Sequence, residues 1–441
     1  MATKSRLYND TPYLPFATHE TQIDASLDLS AEDVRILRAL ASQVAEIASL
    51  PEQQVRRNTW TAVNDLKGAR PVLWANEVCW HEMNVDDELT VKCESELGFR
   101  LENQFRRTLY QWKHMRGDMV VENVIESPFI VHNSGFGIGT VADIAETDQN
   151  ATIASRHFHN QITCMEDIQK IKDPVVTVDR KRTRDFLECY QMLFDGILPV
   201  RTNGCKGFWF APWDDIVLWM GAEEVLFALI DEPEMMHALI DRLTSAYLCA
   251  LDQYVALGLT ASNNCNVRVG SGGYGYTGAL APDDGGFRAP QEMWGNATPQ
   301  IFGSVSPAVH AEFGLAYEKR WMERFALNYY GCCEPLHARI NMLASIPGMR
   351  KISISPWADL AVAAEHMRGR FVLSLKPSPA CLAAQAFDEE AVRKTLREQF
   401  SLCKGCSVEV IIKDISTVFH QPQRLWRWME IAMEEAWRAA E

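Results

Sequence analysis

The sequence predicts an α/β protein, a (β/α)8 TIM barrel with an N-terminal helical extension, and three observations carry that reading. In the last third, short apolar runs alternate with amphipathic segments through four strand-helix units, the pattern of parallel strands joined by right-handed crossovers. The 441 residues suit one large barrel with additions. The GxGxxG run from Gly270 to Gly275 leads into YTGALAPDDGG and not into a helix. A dinucleotide fold needs helix amides at that point, so it is set aside.

In chain order, SAED at 30–33 resembles a capping box, and Val34, Leu37, Leu40, Ala41, Val44 and Ile47 recur at helical spacing up to Pro51. This helix belongs to an extension over residues 1–66, and the barrel spans 67–441. RPVLWANEV and MVVENVIES read as buried strands, with a polar helical segment at 86–114 between them. Pro233 opens a long amphipathic helix that stops at Gly258. Ser306-Pro307 opens the next, carrying Phe313, Tyr317, Trp321 and Phe325. Then follow strand ALNYY, helix PLHARINMLASI, strand KISIS, helix WADLAVAAEHM, strand FVLSL, helix DEEAVRKTLREQF, strand VEVII and helix PQRLWRWMEIAMEEAW. VGSGGYGYTGALAPDDGG reads as a glycine-rich loop, either over the barrel mouth or plainly on the surface.

With 47% hydrophobic residues the chain can build a large core, and a formal charge of -15 argues against nucleic acid or an anionic membrane as partner. No apolar run approaches the roughly 18 residues of a membrane span, and MATKSRLYNDTPYLPF lacks the apolar core of a signal peptide. A cytoplasmic protein is expected, in which twelve cysteines are packed thiols except where they cluster.

Barrel chemistry belongs at the C-terminal ends of the strands. There GCCEPLH, at 331–337, places Cys332, Cys333, Glu334 and His337 within six positions, all types that bind zinc. Equally, the cysteines pack in the core and Glu334 caps a helix N-terminus. Cys403 and Cys406, and His157 with His159, read as ordinary residues. Trp74, Trp80, Trp209, Trp213, Trp294 and Trp357 fall at strand ends or loops. Together they suit an aryl or quaternary-ammonium ligand. Glu77, Glu126, Asp359 and Asp414 lie near strand ends as acids, bases or ligands, or as salt bridges and caps.

The order of these features over residues 290–441 resembles the uroporphyrinogen decarboxylase superfamily, in its zinc and corrinoid methyltransferase branch. VSPAVHAEFGLAYEKRWMERF is similar to the family's Ser-Pro helix, NYYGCCE falls where members carry a strand ending in His-x-Cys-Gly, and FVLSLKPSPACL falls at a Gly-Asn-x-x-Pro turn. RPVLWANEVCWHEM lacks the arginine pair with which the decarboxylases hold propionates, which argues against tetrapyrrole decarboxylation. Tyr330 occupies the place of the zinc-binding histidine, and the last strand ends in Lys413 and Asp414 where relatives have a cysteine.

The resemblance implies a zinc-dependent methyltransferase that moves a methyl group between a small methylated compound and a corrinoid on a partner protein. Zn2+ falls to Cys332, Cys333, Glu334 and His337; Tyr330, Lys413 and Asp414 are the catalytic candidates; His132, Trp357, Trp294, Asn266 and Glu77 are the substrate-side candidates. No corrinoid-binding Asp-x-His-x-x-Gly motif is present, so cobalamin is expected from the partner. The alternatives are a metal-free decarboxylase or lyase using Arg268, Arg288 and Lys376, and a non-catalytic ligand-binding barrel.

Overall fold

The computed structural model describes residues 26–145 and 155–441; the stretch 1–16 and the start of the extension lie outside the described residues. Helix α1 (Ala31–Ala48) begins where Ser30 accepts a hydrogen bond from the Asp33 amide. Its buried stripe, Leu37, Leu40, Ala41 and Val44, packs on α3 (Glu96–His114) and reaches α4 (Arg180–Phe194). A second helix that the sequence reading did not separate, α2 (Glu52–Asn64), sets Trp60 and Val63 against Val72 and Val372, the first residues of two strands.

Twelve strands are described: β1 (Val72–Ala75), β2 (Ile125–Pro128), β3 (Val131–Asn133), β4 (Ala142–Ala145), β5 (Ser155–Phe158), β6 (Val176–Val178), β7 (Val200–Asn203), β8 (Trp294–Ala297), β9 (Leu327–Tyr330), β10 (Met349–Ile354), β11 (Val372–Leu375) and β12 (Ser407–Ile412). Six form one parallel sheet in the order β1-β12-β11-β10-β9-β8. The last strand therefore lies beside the first. β2 and β7 pair in parallel, Cys205 and Thr260 bridge in parallel, and β3–β6 and β4–β5 are antiparallel pairs.

Between the strands run α5 (Pro212–Met220), α6 (Ala222–Asp231), α7 (Pro233–Ala256), α8 (Pro307–Val309), α9 (Ala316–Met322), α10 (Ile340–Leu343), α11 (Leu360–Met367), α12 (Ala380–Ala383) and α13 (Glu389–Leu402), and α14 (Gln423–Arg438) follows the last strand. Ser306 caps α8, and a π turn at His310–Leu315 joins it to α9. Asp359 caps α11 through the amides of Ala361 and Val362. None of the described helices is long and apolar enough to cross a membrane.

Alternation along the strands divides the sheet into two interiors. Leu73, Ala75, Ile352, Ile354, Leu373, Leu375, Val408 and Val410 join the large core under the helices. Their neighbours Lys351, Ser353, Ser374 and Glu409 face the other way and are fully buried.

Three expectations are corrected. The helix expected over PLHARINMLASI is the four-residue α10, so His337 is not helical and Glu334 caps nothing. The polar segment at 86–114 is helical only from Glu96, since Asp86 and Asp87 adopt positive φ. The first half of the glycine-rich loop is neither a lid nor a surface stretch, because 268–277 is buried inside the sheet, whereas 278–286 runs on the surface as expected. A Cβ on Gly270 would meet the Tyr329 ring at 2.2 Å, and one on Gly273 would meet Trp60 at 2.4 Å.

Candidate active site

β9 gives way at Gly331, just past its last residue, and the φ of 94° there favours a residue without a Cβ. A Cβ there would lie 2.4 Å from Leu336. The turn releases Cys332 and Cys333 from strand alternation, and their sulfurs lie 3.5 Å apart. Backbone bonds fix Cys332 on both sides: its N–H donates to Glu334 (2.9 Å) and its carbonyl accepts from the Ser353 hydroxyl (2.8 Å).

β12 and β1, which lie beyond β10 and β11 in the sheet, deliver the charges. Their exits, Glu77 and Asp414, both adopt positive φ. The Lys413 ammonium lies 3.8 Å from the Cys332 sulfur, 2.7 Å from Asp414 and 3.2 Å from Glu77. Arg268 adds a 2.6 Å bond to the other oxygen of Glu77, and Cys333 lies 3.9 Å from Asp414.

Burial raises Glu77, but Lys413 and Arg268 outweigh it and hold the carboxyl down to about 2. Burial opposes the charge on Lys413, yet Cys332, Glu77 and Asp414 push its pKa up. Contact with Cys332, with help from Lys413, lowers the Cys333 thiol, and the same contact plus burial raises Cys332. The pair thus favours one thiolate on the more exposed sulfur beside a permanently charged lysine.

Below this lies a column of buried polar groups. Glu409 accepts from Lys351 (2.8 Å), the Ser374 hydroxyl (2.6 Å) and the Gly273 amide (3.1 Å). Lys376 reaches the Tyr329 oxygen at 3.0 Å, and burial brings its pKa down to about 8. Lys351 and Glu409 escaped the sequence reading, although opposite charges inside the apolar runs KISIS and VEVII were the available signal.

Of the sequence candidates, Cys332, Cys333, Lys413, Asp414 and Glu77 come together, with Glu334 directly behind. Glu334 accepts from Thr298 as well as from Cys332 and is wholly buried. Tyr330 is turned away: its hydroxyl donates to Glu318 and meets His310 Nε2, both at 2.6 Å, in the helix layer. Trp294 is buried beneath the glycine loop, donating to the Gly275 carbonyl, so it is not a mouth residue. Trp357 is 78% exposed beyond β10. His132 lies opposite Thr177 in the antiparallel β3–β6 pair, outside the six-stranded sheet.

Glu77 and Asn266 line two cavities along α3, of about 180 and 240 Å3. The two share Gln104, Thr108 and Gln111, and the larger is floored by Trp74, Glu126, Arg201 and Lys206.

The donor set does not fit the expected zinc. Among the described residues no three His, Cys, Asp or Glu side chains are arranged to hold a metal ion. Glu334 is already engaged, and the ammonium of Lys413 stands among Cys332, Asp414 and Glu77 as the positive charge there.

No family model and no curated protein matches the chain. Among solved structures it is similar to a methyltransferase from Methanosarcina mazei, at 10% identity and a TM-score of 0.47, over 86% of this chain and 98% of that one.

Proposed function

We propose that the chain is a methyltransferase moving a methyl group between a small methylated compound and a corrinoid carried by a partner protein, with its chemistry at Cys332 and Cys333. One observation carries the reading: two sulfurs 3.5 Å apart stand at the C-terminal edge of a parallel sheet, with an ammonium 3.8 Å from one of them. Thiolate is the reactive form of cysteine, and a neighbouring cation favours it. In this reading the Cys333 thiolate bonds the methyl carbon as that carbon's bond to the donor's heteroatom breaks, the heteroatom leaving with the electron pair, while Lys413 holds the negative charge and Glu77 and Asp414 hold Lys413. The methylated compound occupies the cavities along α3. The corrinoid, when its carrier docks, supplies the cobalt that gives or takes the methyl group. The sheet, with β12 already beside β1, closes with β2 and β7 as the (β/α)8 barrel.

The test is the spectral conversion of cob(I)alamin to methylcobalamin with a panel of methyl donors. The expected result is conversion by the unsubstituted chain, slowed at least about a hundredfold in Cys333→Ser. No conversion with any donor, or an unchanged rate in the variant, overturns the reading. Metal analysis of the same samples checks the ligand assignment: one equivalent of zinc, lost in both Cys→Ser variants, would give the charge-holding role to the metal and not to Lys413.

A second reading, a lyase acting on an acidic small molecule, is favoured by Lys376 alone. Arg268 and Arg288 are bonded to Glu77 and Asp284, whereas the Lys376 amine, at about 8, is partly neutral near physiological pH. Decarboxylation abolished by Lys376→Met would support it.

A further inference from the structure

We propose that Cys332 and Cys333 form a reversible disulfide between adjacent residues, a redox modification site at the mouth of the sheet. The inference stands on geometry and does not require the methyl-transfer reading.

The two sulfurs are 3.5 Å apart, so a movement of about 1.5 Å brings them to the 2.05 Å of a disulfide. All the cysteines are free thiols, and Cys403 with Cys406, the other close-spaced pair, has its second sulfur directed to the Ala364 carbonyl. The two members of the pair differ in access: Cys333 is half-buried and Cys332 is buried. A disulfide of the glutathione class therefore reaches Cys333 first.

The exchange balances in two steps. Cys333 thiolate attacks one sulfur of the oxidised glutathione, forming a mixed disulfide and releasing one glutathione thiolate. Cys332, whose sulfur lies 3.5 Å from that of Cys333, then gives up its proton to solvent, attacks the Cys333 sulfur and releases the second. Two electrons and two protons leave the protein, and two glutathiones are produced.

The ring so formed is strained. Adjacent Cα atoms lie about 3.8 Å apart, short of the usual 4.4–6.8 Å across a disulfide. The peptide between the cysteines cannot swing freely, because Ser353 binds its carbonyl and Glu334 binds the amide before it. Strained, accessible disulfides have oxidising potentials and are the labile ones. The site therefore closes only under oxidising conditions and reopens in a reduced cytosol-like buffer. Closure removes both sulfurs from chemistry.

The experiment equilibrates the full chain in glutathione buffers of graded ratio, blocks free thiols by alkylation, and reads intact and peptide masses. At the oxidising end, alkylation of both cysteines falls at least about tenfold, their peptide loses two hydrogens, and dithiothreitol restores it. Cys332→Ser stops at one glutathione on Cys333, and Cys333→Ser leaves Cys332 unmodified. Full alkylation of both at every ratio overturns the proposal, as does an unsubstituted chain that stops at the glutathione adduct. Because the readout is mass, an inactive methyl-transfer assay leaves this result unaffected, and a failed ring leaves the methyl-transfer reading intact.

Discussion

Tyr329 and Tyr330 are consecutive on β9, yet their hydroxyls serve two different interiors. On the concave side Tyr329 meets Ser271 and Lys376, within a column where Glu409 stands beside two ammoniums. On the helix side Tyr330 meets His310 and Glu318, with Glu334 nearby. Glu409 and Glu318 are equally buried, but burial raises Glu318 to about 8, whereas Lys351 and Lys376 outweigh burial and keep Glu409 low. One interior stores charge as pairs, and the other avoids it by keeping protons.

The largest break in this comparison should come from Lys351→Met. It strands the Glu409 charge and should cost about 3–5 kcal/mol in urea unfolding, while Lys351→Met with Glu409→Leu should recover most of that. A loss below about 1 kcal/mol for the single variant would mean the pair does not hold the column.

Tyr330→Phe comes next, at about 1–3 kcal/mol for a lost buried hydrogen bond. Its cost should be larger at pH 9 than at pH 6, because above about 8 Glu318 is a carboxylate that needs the donor. Tyr329→Phe should show the opposite trend, costing less at pH 9 than at pH 6, because above about 8 Lys376 loses the charge with which it donates to the Tyr329 oxygen; equal pH profiles for the two would erase the distinction between the faces.

The smallest effect at pH 6 belongs to Glu318→Gln, which swaps one neutral group for another. Glu318 and Asp214 titrate at about 8 and Asp215 at about 7 when folded, against about 4 in an unfolded chain. The unfolded state therefore binds fewer protons between about pH 4 and 8, and stability falls as pH rises through that window. Glu318→Gln should flatten that fall and give the more stable protein above pH 8. An unchanged slope in thermal melts would show that Glu318 is ionised throughout.

The sequence exposed the alternation of strands and helices, because apolar runs and amphipathic periods report burial directly. It did not expose which tyrosine faces which interior. β9 is buried on both sides, so its residues show no polar alternation from which to read parity. The buried part of the glycine loop, 268–277, was misplaced for a related reason: glycine carries no hydrophobic signal, and its lack of a side chain is what admits it to the core. GCCEPLH was legible as chemistry at a strand exit. Its ion partners Arg268, Glu77 and Lys413 come from distant parts of the chain, and only the assembled sheet brings them together.

The segment 268–277 has one more implication. Ser271 bonds the Gly331 carbonyl beside the thiols, while the Tyr274 carbonyl receives Lys351 at the other end of the column. It acts as a spacer of fixed length, measuring the distance between the sheet's charged floor and its reactive rim. Adding or deleting a single residue there would put the two ends out of register. Attempts to retune this protein by cassette exchange should leave that span intact and work from the groove face of α3.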